Sequence, residues 1–198
     1  MDLTPDQRIA GVLTPLFALR SENDLGIGDL ATLREFVDWA AGVGFKLVQL
    51  LPINETGGDN SPYNAISAMA LEPTTLYLAP GSPEDLTQED FDSVVAGVNL
   101  KKLRSGSVHY AQVRKLKRAL LEKAFARFEL RRANDSAFAA FVENEAAWLE
   151  GYVFFRALME ENGGTEAYDF WPEEQRSVAS ARVVRSAAAR DSGGFRAA

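Results

Sequence analysis

Apolar positions change period twice along this chain, and those changes mark out its elements. Residues Ile9 to Leu19 form an apolar run broken by Pro15, and turn-forming residues follow through Arg20 to Asp29. The run reads as a short buried strand and the remainder as a loop. From Leu30 the period becomes helical. Leu30, Leu33, Phe36, Val37 and Ala40 recur three or four residues apart, Asp29 stands where an N-cap belongs, and Gly42 and Gly44 close the pattern. A helix is therefore expected over about Leu30 to Ala41. Phe45 to Ile53 is then almost continuously Leu, Val and Ile up to Pro52, which suits a strand covered on both faces in a parallel sheet. Strand, helix and strand in about 45 residues make a βαβ unit.

A long polar connection follows, NETGGDNSPYNAISA, and long connections carry function more often than short ones. Thr75 to Leu78 is expected as a further short strand. Ser82-Pro83-Glu84 reads as N-cap, N1 and first-turn acid of a helix reaching about Ala96. Val113, Leu116, Leu120, Leu121, Ala124 and Phe128 mark one face of a helix from about His109 to Arg131. Phe138, Phe141, Val142, Trp148, Leu149, Tyr152, Phe155 and Met159 mark another, or two joined near Gly151, capped by Asn134 or Asp135. Of the 22 residues from Ser177 to Ala198, 17 are Ala, Ser, Arg or Gly, too few apolar groups to order a tail, so disorder is expected there.

Composition narrows the function classes. The 198 residues contain no Cys and one His. Thiol catalysis, thiolate zinc and multi-histidine metal sites are excluded, and a reducing, cytoplasmic setting is expected. No apolar run has the roughly 18 residues a membrane helix needs, so no membrane partner is expected. The net charge of -7 argues against nucleic acid as a partner. Residues Asn99 to Arg132 nonetheless carry eleven basic and two acidic side chains. Lacking interleaved aromatics, that basic face reads as solvated.

Candidate chemistry gathers in the polar connection, which follows the C-terminal end of a parallel strand, where such folds place ligands. Asn54, Asp59, Asn60, Ser61 and Asn64 exchange hydrogen bonds with hydroxyls, and Tyr63, after Pro62, offers a flat apolar face with a polar tip. That set suits a sugar. Glu55 and Asp59 in the same stretch read as solvated loop charges. Gly26-Ile27-Gly28-Asp29-Leu30-Ala31 matches a G-x-G-x-x-A fingerprint, but the glycines come late after the first strand and the second strand ends without the acid that holds a ribose. A tight turn and helix cap explain them better than a dinucleotide. His109 has no evident catalytic partner.

Taken together, Leu-Arg-Ser followed by Asp-Leu-Gly-Ile-Gly-Asp, Phe-Val-Asp-Trp-Ala in the first helix, Gln-Leu-Leu-Pro-Ile-Asn at the second strand, and Ser-Pro-Tyr followed by Ser-Ala resemble the N-terminal region of the 4-alpha-glucanotransferases. His109-Tyr110 with VRKLK, Trp148-Leu149, YVFFRALMEENGG and Phe170-Trp171-Pro172-Glu173 extend the similarity, which covers about Arg8 to Arg176. The resemblance implies an α/β fold: the N-terminal part of a (β/α)8 barrel over residues 1–80, its barrel left incomplete, then a mainly helical insertion subdomain over 81–176 and a divergent tail over 177–198. It implies transfer of α-1,4-glucan segments to the 4-hydroxyl of another glucan through a covalent glycosyl-enzyme. Such a retaining reaction needs two carboxyl groups roughly 5 Å apart. In the family these lie on later barrel strands, so no residue here matches a catalytic acid, and this chain alone is expected to be inactive. Tyr63 matches the family's aromatic platform for the donor glucose. Ser61, Pro62 and Asn54 complete the substrate-binding candidates. A maltodextrin partner follows from the resemblance, and no metal or organic cofactor is implied. The open sheet is expected to favour self-association. The alternative is a maltodextrin-binding or interaction module without catalysis.

Overall fold

The computed structural model describes residues 8–183. Strand β1, Gly11–Thr14, leads through a 3-10 turn at Leu16–Ala18 and a loop into helix α1, Leu30–Gly42, which returns the chain to strand β2, Leu47–Leu50. The strands pair in parallel, Gly11 opposite Leu47 and Thr14 opposite Leu50. The βαβ reading thus holds. The α1 boundary follows from its cap: the Asp29 carboxylate accepts from the Thr32 amide at 3.0 Å and from the Thr32 hydroxyl at 3.1 Å, satisfying a first-turn donor with no partner inside the helix.

The strands are not covered on both faces. In each, exposed and half-buried positions alternate, and Leu13 and Leu47 stand on the exposed face. A continuous apolar run predicts two-sided burial only where helices flank a wider sheet, and here the described sheet has two strands.

The core sits elsewhere. Leu25 and Ile27, from the loop before α1, pack with Leu78, Leu86, Leu103, Val113, Leu116, Leu120 and Ala124. Most of the last group belong to helices α3, Leu100–Leu103, and α4, Tyr110–Glu129. Each such leucine contributes about 2 kcal/mol by leaving water. The boundary expected at residue 80 therefore does not separate two cores, because α4 buries its apolar stripe against the N-terminal loop. The chain instead divides into two compact units after Asp135.

This packing accounts for the glycine pair of the loop. A side-chain carbon on Gly28 would lie 2.0 Å from the Leu16 carbonyl oxygen, and the Gly28 amide donates to the Phe17 carbonyl at 3.2 Å. Gly26 has φ 96°, a left-handed conformation that glycine adopts without strain, and its amide donates to the Asp24 carboxylate at 2.7 Å. Both amides are spent on the fold.

Two other expectations change. Thr75 to Leu78 is not a strand; Pro73–Thr75 forms a 3-10 turn capped by Glu72. The helix read from Ser82 begins later, as α2 over Gln88–Val95. Thr87 is its cap, accepting from the Asp90 amide at 3.2 Å and donating to the Asp90 carboxylate at 2.8 Å. Ser82 serves a turn through its backbone, exchanging hydrogen bonds with Ala79.

In the second unit, α5 (Ser136–Asn144) and α6 (Ala146–Glu161) meet at Glu145, so the break is there and Gly151 lies inside α6. Trp171 is buried against Phe155, ring centres 5.4 Å apart, and its indole donates to the Thr165 carbonyl at 3.1 Å. Residues 178–183 are helical, the Ala181 amide donating to the Ser177 carbonyl at 3.0 Å. The rest of the stretch expected to be disordered lies outside the described residues.

Candidate functional site

The connection after β2 is an ordered excursion that leaves along residues 54–57 and returns along 64–72. Antiparallel bridges join Asn54 to Leu71 and Thr56 to Ala65. Backbone bonds from Glu55 to the Ala70 carbonyl (2.9 Å) and from Ile66 to the Glu55 carbonyl (2.8 Å) close it, and the Asn54 amide group donates to the Ala68 carbonyl at 2.8 Å. These backbone groups are thus satisfied within the excursion.

The tip is held by one carboxylate. Asp59 accepts from the Ser61 amide and from the Asn64 side chain, each at 3.0 Å. These two bonds, the Ser61 one first, hold its pKa below the ordinary carboxylate value. Asn60 takes a left-handed φ of 59°, which asparagine tolerates better than most residues. The Ser61 hydroxyl accepts from the Tyr63 amide at 3.4 Å. Tyr63 itself is 74% exposed. Its ring is displayed at the tip, and Glu55, expected as a solvated charge, is instead buried.

Beside the excursion lies an open cleft of about 400 Å³, including the solvent at its mouth. Leu16, Phe17, Ile27, Leu51, Pro52 and Ile53 give it apolar surface. Asn54, Thr56, Asn60 and Pro62 come from the excursion, and Glu72, Thr74, Thr75 and Tyr110 complete the lining. The structure therefore brings Asn54 and Pro62 to the cleft, while Ser61 and Tyr63 stand at the tip outside its lining. The side-chain oxygen of Asn60 is buried without a hydrogen-bond partner.

Glu72, Thr74, Thr75 and Tyr110 were missed by sequence reasoning. The signal was present as Glu72-Pro73-Thr74-Thr75, an acid ahead of a proline-started turn. The Tyr110 ring packs edge-on against Phe17, centres 6.5 Å apart, and burial, then the Glu72 charge, push its phenol pKa up. His109, the residue before α4, is exposed and makes no side-chain cap bond. Among the described residues no group of three or more His, Asp or Glu is arranged to hold a metal ion, and no helix is long and apolar enough to cross a membrane.

Lys117 of α4 is buried and donates to the Leu76 carbonyl, just after the 3-10 turn, at 2.6 Å. Burial lowers its pKa from 10.5 to about 8, with Asp29, Asp24 and Glu72 opposing the shift. Asp24 is held ionised by Arg20 and by the amides of Ser21 and Gly26, against the burial that would raise its pKa.

Comparison with known proteins places the sequence in a family. The model of the 4-alpha-glucanotransferases matches residues 14–193, past Arg176, where the sequence resemblance was read to stop. The chain is 36% identical over 171 residues to a 4-alpha-glucanotransferase of Chlamydia pneumoniae, covering 82% of this chain and 31% of that protein. It is 35% identical over 173 residues to one of Aquifex aeolicus, with 84% and 32% covered. A third relative, from Synechocystis, is 32% identical over 162 residues, with 80% and 31% covered. The chain spans about a third of the length of these curated relatives, and over nearly all of its own length it belongs to the 4-alpha-glucanotransferase family.

Proposed function

We propose that this chain is the N-terminal portion of a 4-alpha-glucanotransferase, that its βαβ unit begins a (β/α)8 barrel, and that its cleft and loop tip hold an α-1,4-glucan. The observation that carries the reading is the pairing of an apolar cleft surface with amide and hydroxyl side chains beside a displayed tyrosine ring. A glucose ring has apolar C–H faces and a hydroxyl rim, and such a surface answers both. Tyr63 stacks on a sugar face, Asn54 and Ser61 exchange hydrogen bonds with hydroxyls, and Pro62 sets the turn between them. The parallel pair with its exposed apolar face suits strands that begin a larger parallel sheet. The absence of cysteine suits a cytoplasmic setting.

The chemistry proposed for the whole enzyme is retaining transfer: a carboxylate attacks the anomeric carbon, a carboxylic acid protonates the departing glycosidic oxygen, and the 4-hydroxyl of an acceptor glucan then displaces the enzyme carboxylate while giving its proton back to the conjugate base of that acid. Glu72 is the only carboxylate among the described residues lining the cleft, and its oxygens are already engaged by Thr56 and Thr74. Holding glucan is therefore the part assigned to this chain. Calorimetric titration of the 198-residue chain with maltoheptaose is expected to show saturable binding, weakened about tenfold by Tyr63→Ala, the scale of one lost aromatic contact. Incubation with maltotriose is expected to yield neither glucose nor maltopentaose. Unchanged binding in Tyr63→Ala would remove the tyrosine from the site, and products in the maltotriose reaction would assign catalysis to this chain.

A further inference from the structure

The carboxylate of Glu72 is buried at the root of the excursion and carries four hydrogen bonds. One oxygen accepts from the Thr56 amide and the Thr56 hydroxyl, both at 3.0 Å. The other accepts from the Thr74 amide at 3.2 Å and the Thr74 hydroxyl at 2.9 Å. An ionised carboxylate offers about four lone-pair directions, so none remains for a sugar hydroxyl. Glu72 thus faces the cleft without capacity to bind what enters it.

Its four bonds join two segments that the chain separates. Thr56 lies on the outgoing limb, four residues before the tip begins at Asn60, and Thr74 lies in the 3-10 turn Pro73–Thr75, whose following Leu76 carbonyl is gripped by Lys117 of α4. The outgoing limb is bound to that turn, and the turn to the longest helix of the core. Next to Thr56 on the same outgoing limb, the Gly57 carbonyl accepts from Arg114, one turn before Lys117 on α4, at 3.4 Å. We infer that Glu72 is the positioning residue of the glucan loop: by clamping Thr56 to Thr74 it fixes the outgoing limb that leads to the tip and its Tyr63, and so sets affinity for maltodextrin without touching it.

This rests on the reading of Tyr63 as a glucan contact, and two measurements separate the failure of one from the failure of the other. The first is amide hydrogen exchange in the full chain with Glu72→Ala and Glu72→Gln, with no sugar present. Bonds to a charged acceptor are the stronger kind, so Glu72→Ala is expected to speed exchange at Thr56 and across residues 57–65 at least about tenfold, leaving α1 and the middle of α4 unchanged. Glu72→Gln retains one carbonyl oxygen and places an amide against the other donor pair, so it is expected to fall between. Equal acceleration everywhere, or none at Thr56 and beyond, would overturn the inference.

The second is maltoheptaose affinity in a cycle of Glu72→Ala, Tyr63→Ala and the double variant. A residue acting through the loop loses its effect once the ring it positions is gone, so Glu72→Ala is expected to weaken binding about tenfold in the parent and less than about twofold beside Tyr63→Ala. Equal losses in both backgrounds would show a general structural effect and overturn the positioning role. If the parent chain binds no maltoheptaose, the glucan reading fails on its own, and the exchange result still decides whether Glu72 holds the loop.

Discussion

Lys117 shows how one side chain can be legible in pattern and misread in charge. The basic segment read as a solvated face, yet Lys117 falls in register with Val113, Leu120 and Ala124 at helical spacing, and the structure buries it with them. An ammonium group away from water is costly unless paired; here the Leu76 carbonyl partners it and three carboxylates attract it from nearby. The folded pKa of about 8 lies below the ordinary 10.5. Unfolding therefore takes up a proton between those values, and stability rises as pH climbs from about 8 to 10.5. The gap is worth about 3 kcal/mol when complete. Below pH 8 the lysine is charged in both states and the full cost of burying it remains. Urea unfolding midpoints measured at pH 7.5 and 9.5 are expected to rise for the parent chain and to stay level for Lys117→Met, which keeps the buried stem and removes the titration. An equal rise in both would assign it to other groups.

Elements were legible wherever a local device defines them. Helix α1 lay open in the sequence because Asp29 caps it and Gly44 follows it, and α4 because its apolar positions recur from Val113 to Phe128, about four turns. The pattern sets helix α2 five residues too early because two capping signals compete: Ser82-Pro83-Glu84 and Thr87 through Asp90. The winner has the reciprocal Thr87–Asp90 pair, and Asp90 is further held by Arg127 of α4 at 2.6 Å. Only the fold supplies that second partner, so the local sequence could not rank the two. Thr87→Ala is accordingly expected to cost about 1 kcal/mol, read as a lowered urea midpoint with unchanged slope, while Ser82→Ala stays within a few tenths because its side chain caps nothing. The reverse order would return the helix start to Ser82. The candidate site divides in the same way. Its loop residues were visible in composition, and the turn that Glu72 caps had a local signal, whereas Glu72 bonds Thr56 and Tyr110 reaches the cleft only once α4 and the 3-10 turn have packed, a long-range arrangement outside any local pattern.

At the scale of the whole molecule, the two described strands were legible as a parallel pair, but their surroundings were not. Register places Leu47 opposite Gly11 and Leu13 opposite Gln49 on one face of the sheet, and both leucines are about half exposed. The outer edges of β1 and β2 carry no strand partner among the described residues, and Trp39 on α1 and Val43 just after it are also more than half exposed. Unpaired edges beside apolar side chains favour pairing with another chain, because each contact removes apolar surface from water and satisfies backbone donors together. The 198-residue chain alone is therefore expected to self-associate, its weight-average mass in sedimentation rising with concentration. Leu13→Lys with Leu47→Lys puts two like charges on the exposed face, which any second copy would have to bury or repel. That double variant is expected to move the mass towards the monomer while leaving maltoheptaose binding unchanged, since neither leucine lines the cleft. A parent chain that stays monomeric at every concentration, or association indifferent to the two lysines, would show that the exposed sheet face is not what draws copies together.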